Sequence, residues 1–398
     1  MPLDLVDTLS QLVAIPSVNP MGRPVSGPEY FEYRMTDWLQ AFFQRLGLPW
    51  MRQTVEPKRD NIVARFDGSP APDAGGKIVL LEAHQDTVPV DGMTIDPWTP
   101  AVRDGRIYGR GSCDIKGGMA AMLGALARLV EEKPGVRPTV IMACTVNEEH
   151  GYSGAQALTR LWTAAGGDSI IPRTPDMAVV AEPTNLDVVV AHKGAVRWRC
   201  HTHGRAAHSS QPQLGDNAIY KMARVLSVLE SYARDVPASL SAHPLCGRPS
   251  LSVGVISGGL SVNTVPARAT IEIDRRIIPG EDGETAYRQV VDYVNHRTEL
   301  GAAVEHERPY LEGRSLADGP NQALAEQLVE AARCVYSRAT EIGVPFGTDA
   351  ATIAGAGVPS VVFGPGSIAQ AHTADEWLSL DELSAASEAL YRFLSSVS

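Results

Sequence analysis

The chain has 398 residues, 44% of them hydrophobic and 20% charged, and a formal net charge of −11. That length exceeds one ordinary hydrophobic core and fits two domains. The negative balance argues against a broad phosphate-binding face, and no apolar run approaches the roughly 20 residues that span a bilayer, so neither a nucleic-acid nor a membrane partner is expected.

The first residues carry no basic segment followed by an apolar one, and the five cysteines are widely spaced without a CxxC pair. Both features suggest reduced thiols and a cytoplasmic location.

In chain order, Gly68–Gly76 reads as a surface loop. Lys77–Ala83 follows as a short apolar run of the kind that forms a buried parallel strand. Gly118–Glu132, rich in Ala, Leu and Met and followed by Pro134, reads as a helix. Thr139–Val146 reads as a strand, Ser153–Ala164 as a helix and Met177–Ala181 as a strand. The middle of the chain changes character. Ala195–His203 and Ala269–Asp274 alternate apolar with polar, Leu251–Ile256 is a third strand, and helical stretches lie around 216–233 and 284–299. That pattern predicts a smaller α+β domain with a half-exposed antiparallel sheet over 192–308. The α/β pattern then returns with a helix over Asn321–Tyr336 and a strand over Ser360–Phe363. The expected fold is α/β: a catalytic domain with a mostly parallel sheet from 1–191 and 309–398, interrupted by the α+β insertion.

Open α/β sheets bind ligands at the carboxyl ends of their strands. Here those ends lead into His84-Gln85-Asp86, Asn147-Glu148-Glu149, Glu182-Pro183 and, through Gly364-Pro365-Gly366, His372; the loop Gly109–Asp114 adds another carboxylate. Two imidazoles with several carboxylates suit zinc or a similar divalent ion. Asp114, Glu149 and Glu182, with one hydroxide, would neutralise two such ions. Asp86 lies two residues beyond His84. On an extended chain both side chains point the same way, so Asp86 is expected to accept the second ring N–H of His84. Arg276 is a candidate for a substrate carboxylate, helped by Asn263 and by Gly347-Thr348; a surface ion pair is the other reading of Arg276. His201 and His203 read as structural. Cys113 reads as a small buried side chain, and neither an HExxH nor a GxSxG pattern is present.

These motifs carry a resemblance. His84-Gln85-Asp86-Thr87-Val88-Pro89, Tyr108-Gly109-Arg110-Gly111 with Asp114-Ile115-Lys116-Gly117-Gly118, and Glu148-Glu149 with Gly154 occur in order. They are followed by Glu182-Pro183-Thr184, Gly204–Ser209, Asp274-Arg275-Arg276 with Pro279-Gly280, and Gly364-Pro365-Gly366 with Ala371-His372. The set resembles the family of di-zinc amidohydrolases that includes acetylornithine deacetylase, succinyl-diaminopimelate desuccinylase, aminoacylase and glutamate carboxypeptidase. The resemblance implies two divalent ions, zinc with cobalt able to substitute, bridged by Asp114. His84 and Glu182 would complete one site, Glu149 and His372 the other. It further implies Glu148 as general base, a cis peptide after Asp114, an inserted domain that acts as lid and homodimer contact, and His208 reaching a partner's site to stabilise the oxyanion. The implied reaction is hydrolysis of the amide bond of a small N-acyl amino acid, N-acetylornithine first. Desuccinylation and dipeptide or glutamate-conjugate hydrolysis are the alternatives. A non-catalytic amino-acid-binding protein of the same fold would be marked by loss of a ligand or of Glu148, and none is lost.

Overall fold

A computed structural model describes residues 3–164, 170–298, 300 and 303–397. The chain divides into two compact units. One comprises Met1–Val190, Asp318–Ile342 and Thr348–Ser398, the other Ala191–Ala317 and Gly343–Gly347.

Among the described residues the larger unit is built on a mixed eight-stranded sheet. Its strand order is Trp50–Glu56, Arg59–Phe66, Thr139–Thr145, Ile78–His84, Met177–Val180, Ser360–Val362, Val188–His192 and Glu341–Val344. The four strands anticipated from their apolar runs form its centre and pair in parallel. Ile78–His84 and Thr139–Thr145 are buried at every position, as befits strands covered on both faces. The flanking strands Trp50–Glu56 and Arg59–Phe66 are antiparallel additions. The helix Lys116–Glu132 packs against Leu5–Val13 and Leu380–Ser396. The approach is close at Gly124, where a Cβ would lie 2.4 Å from Leu5 Cδ2 and 2.7 Å from Ser387 Oγ. The helix Ser153–Thr163 packs against Ala350–Gly355. Because the central strands are parallel, their carboxyl ends share one edge of the sheet, and the loops bearing His84, Glu148-Glu149, Glu182 and His372 all leave from that edge.

The smaller unit is an antiparallel sheet ordered Ser250–Gly258, Arg268–Ile277, Gly194–His203 and Val304–His306, with Leu311–Gly313 also paired to Gly194–His203. Alternate residues Ala269, Ile271, Ile273, Arg275 and Ile277 are buried. The apolar ones join Val196, Trp198 and Cys200 in a core with the helices Ala218–Ser239 and Gly283–Thr298. Trp198 meets Tyr287 edge-on with ring centroids 5.2 Å apart. Residue 299, the expected end of the second helix, lies outside the described residues. The sheet extends beyond 308, the expected limit of the inserted domain, because Leu311–Gly313 adds a further pairing. A three-residue strand is too short for alternation to register. Among the described residues no helix is long and apolar enough to cross a membrane.

Candidate metal centre

The larger unit gathers His84, Asp114 and Glu182 into one triplet and Asp114, Glu149 and His372 into a second; within each, the potential ligand atoms lie within 4.8 Å of one another. Asp114 belongs to both and divides its oxygens between them. Its Oδ1 is 3.3 Å from His84 Nε2 and its Oδ2 is 3.3 Å from His372 Nε2. Glu182 Oε1 lies 3.9 Å from His84 Nε2, and Glu149 Oε2 lies 3.3 Å from His372 Nε2. The Asp114–Ile115 peptide is cis, and His372 takes a left-handed backbone conformation with φ of 62°. Glu148 is buried beside the triplets but belongs to neither.

The electrostatics of this cluster call for cations. Burial pushes the Glu148 and Glu182 carboxyls well above their ordinary value, and neighbouring carboxylates add to the shift. Burial and then Asp114 raise Glu149. Burial opposes ionisation of Asp114 too, but hydrogen bonds from His372 and His84 outweigh it and hold Asp114 below the usual carboxylate range. The same contact with Asp114, then Glu149, pushes His372 up to about 10. Divalent ions displace such protons when they bind. The residues fit a metal pair by a further test: Glu149 Oε1 is buried without a hydrogen-bond partner. Buried carboxylate oxygens are costly in that state unless a cation meets them.

The surroundings correct one expectation. The His84 ring nitrogen Nδ1 is 2.9 Å from the main-chain carbonyl oxygen of Asp86 and 3.6 Å from its carboxylate, so the main chain takes the ring N–H. Strand geometry ends at His84, and the side-chain alternation that placed Asp86 beneath the ring ends with it. The Asp86 carboxylate instead accepts the main-chain N–H groups of Glu148 and Glu149, each at 3.2 Å, and the amide of Asn19 at 2.7 Å. Burial disfavours its charge, but the His84 ring, Asn19 and Arg59 outweigh burial and hold it below its ordinary value.

Glu376 gave no sequence signal. It is fully buried and accepts main-chain N–H groups from Gly111, Cys113 and Asp114 at 2.9–3.0 Å, and Arg110 Nη1 at 2.6 Å. One carboxylate thereby shapes the loop that presents Asp114, four residues along the chain from His372. Cys113 is buried and burial raises its thiol, in keeping with a packing role.

The other expected site residues lie mostly in the smaller unit. His208 and Asn263 are exposed neighbours: Ser209 N donates to the Asn263 carbonyl at 3.0 Å, and His208 pairs with Thr264 across two short strands. Arg276 is held by Asp274, Nε at 2.8 Å and Nη2 at 3.1 Å, and Asp274 also accepts Arg197 Nε at 2.8 Å. The ion pair considered for Arg276 is therefore present, using one edge of the guanidinium. Gly347 belongs to the smaller unit and is half-buried; Thr348 begins a segment of the larger unit and is buried, its hydroxyl accepting the Ala350 N–H at 3.1 Å. His201 is bonded to Thr270 and Glu307 and His203 to Glu305, as structural roles require.

Comparison with known proteins agrees with this geometry. Residues 80–396 match peptidase family M20/M25/M40. The chain belongs to that family. Among the M20 relatives, an acetylornithine deacetylase from Erwinia tasmaniensis is 31% identical over 383 residues, 94% of this chain and 93% of that one. An acetylornithine deacetylase from Vibrio campbellii is 30% identical over 367 residues, 87% of each. The fold matches a tripeptidase from Staphylococcus aureus with a TM-score of 0.76 at 23% identity, covering 99% and 97% of the two chains. Human carnosine dipeptidase 1 matches with a TM-score of 0.76 at 16% identity, covering 98% and 95%. This M20 chain is accordingly a metallo-hydrolase that acts on amide bonds, and among its described residues the two triplets are the candidate metal ligands.

Proposed function

We propose that this enzyme deacylates N-acyl amino acids, with N-acetylornithine as its substrate. The observation that carries the reading is the pair of triplets sharing Asp114, in a chain about 30% identical to acetylornithine deacetylases along nearly its whole length. His84, Asp114 and Glu182 would hold one ion, and Asp114, Glu149 and His372 the other, zinc in both sites with cobalt able to substitute. When bound, the ions polarise the scissile carbonyl and lower the pKa of an attacking water to about 7. Glu148 takes the proton from that water on its carboxylate and delivers it to the leaving amine. Asp86 holds the main chain of the Glu148-Glu149 turn. Arg276 presents the guanidinium edge not used by Asp274 to the substrate α-carboxylate, with Asn263, Gly347 and Thr348 as further contacts.

A panel of N-acetyl and N-succinyl amino acids and dipeptides, assayed with zinc and with cobalt, tests the substrate. N-acetylornithine is expected to give the highest kcat/KM. Arg276→Ala is expected to raise KM by about 10- to 100-fold, the loss of a charge-assisted hydrogen bond. A preference for succinyl donors or dipeptides, or no release of acetate from any N-acetyl amino acid, overturns the substrate assignment.

We also propose that the smaller unit forms a homodimer through its open sheet edge. Among the described residues the strand Ser250–Gly258 is paired on one side only. Its Val255 and Ile256 are exposed, and Leu260 and Val262 beyond it are exposed to 98% and 101%. Such an edge is a template for a second copy. His208, exposed in the same unit, would then serve the partner's oxyanion. Mixing inactive His208→Ala with inactive Glu148→Ala is expected to restore part of the activity once subunits exchange. No recovery despite demonstrated exchange rules out action across the dimer.

A further inference from the structure

The segment that follows the first helix reaches the rear of the metal centre through one side chain. Asn19 is fully buried. Its main chain is tied to Thr87: Asn19 N donates to the Thr87 carbonyl at 2.8 Å, and Thr87 N to the Ser17 carbonyl at 3.0 Å. Its Nδ2 donates to Asp86 Oδ2 at 2.7 Å and to Asn147 Oδ1 at 3.0 Å, while its Oδ1 accepts the Met21 N–H at 2.8 Å. These partners fix the orientation of the amide, because the Met21 N–H needs an acceptor and the Asp86 carboxylate needs a donor.

What Asn19 joins together gives the contact its meaning. On one side is Asp86, whose two oxygens receive the main-chain N–H groups of Glu148 and Glu149. On the other is Asn147, the residue just before them, held in a left-handed conformation with φ of 62°. Asn147 is itself tied on several sides. Its N–H donates to Glu32 Oε1 at 3.3 Å and its Nδ2 to Ser153 Oγ at 2.9 Å, while its carbonyl accepts Tyr152 N at 2.7 Å. Glu32 is in turn paired with buried Arg59 at 3.4 Å. The direction in which Glu148 and Glu149 leave this turn is set by the main chain at 147–149. Asn19 is the bridge between the two groups that fix that main chain, and it lies outside the span matched to the family.

We propose that Asn19 is a positioning residue for the hydrolytic site. By locking Asp86 to Asn147 it sets where the Glu148 carboxylate and the Glu149 ligand point. This inference rests on the reading of Glu148 as base and Glu149 as ligand. An aspartate at position 19 offers only acceptors when ionised, and so sets two carboxylates against each other in a buried space. An alanine leaves Asp86 and Asn147 without their shared donor. Groups that orient metal ligands in this way alter activity or metal affinity about 10- to 100-fold when removed.

The test compares wild type, Asn19→Ala, Asn19→Asp, Asn147→Gly and Glu148→Gln. Glycine accepts the left-handed conformation at 147 readily, so Asn147→Gly removes the Asn147 end of the bridge, together with the bond to Ser153, and leaves the turn backbone its conformation. Each protein is titrated with zinc and with cobalt, the absorption bands of bound cobalt are recorded, and kcat and KM are measured on the N-acetyl amino acid that wild type cleaves fastest. The Asn19 variants and Asn147→Gly are expected to bind one of the two ions at least about tenfold more weakly and to show shifted cobalt bands. Their kcat is expected to fall about 10- to 100-fold with KM within about threefold. Combining Asn19→Ala with Asn147→Gly is expected to cost less than the sum of the two single effects, because both break the Asn19–Asn147 contact. Metal affinity, cobalt spectrum and kcat close to wild type in the folded variants, whatever their Tm, overturn the proposal and leave a purely structural role. Asn147→Gly decides alone if the Asn19 variants do not fold. If Glu148→Gln keeps wild-type kcat, the base assignment beneath the proposal fails, which is a separate outcome from normal behaviour of the Asn19 and Asn147 variants.

Discussion

Glu148→Gln is expected to leave a folded protein that still binds two divalent ions but turns over about 10²- to 10⁴-fold more slowly, the range that a positioned proton-transfer group supplies. The expectation follows from where Glu148 sits. It is buried next to Glu149, yet its carboxylate takes no part in either ligand triplet, whereas that of Glu149 does. Its main-chain N–H is held by Asp86 at 3.2 Å, so the change to glutamine alters the acid–base chemistry of the side chain while the turn keeps its anchor. The measurements are metal content by elemental analysis and kcat on the preferred substrate. Loss of metal equal to that of His84→Ala means that Glu148 is a ligand and the base must be sought elsewhere. Unchanged kcat at full metal occupancy means that Glu148 moves no proton in the slow step.

Asp114→Ala is expected to have the larger structural effect on the centre. His84→Ala removes a ligand from one triplet, but Asp114 faces both imidazoles, at 3.3 Å on each side. Its loss leaves each triplet with one imidazole and one carboxylate, fewer than the three protein ligands that catalytic zinc sites ordinarily use. Wild type is expected to retain about two zinc ions per chain after dialysis against metal-free buffer, Asp114→Ala fewer than one, and His84→Ala an intermediate amount. The Asp114 variant is expected to have no measurable turnover even with added cobalt. Two tightly held ions in Asp114→Ala would show that the shared carboxylate is not their bridge.

The two variants also separate what was legible in the sequence from what was not. Asp114, Glu149, Glu182, His84 and His372 were legible because the apolar runs that precede four of them form the four central parallel strands, and parallel strands place their ends on one edge. The residues that hold these ligands in place were not legible. Glu376 reads as one more surface acid, and only the folded loop turns three N–H groups and Arg110 toward it. Asn19 sits 67 residues from Asp86 and 128 from Asn147, separations at which no local pattern carries information.

The layer architecture, the parallel core and the chemical types of the candidate ligands follow from local patterns along the chain. Hydrophobic periodicity is a local property that a strand or helix cannot escape, and strand ends are fixed wherever the periodicity stops. Which hydrogen bonds the buried polar groups make depends instead on how distant segments meet in the folded chain. Asp86 shows why: alternation pointed its carboxylate at His84, but the strand ends at His84. The main-chain carbonyl of Asp86 then meets the ring, and its carboxylate is left to hold the turn that carries the proposed base. A buried carboxylate must find donors wherever the fold supplies them, and here they come from parts of the chain that meet only after folding.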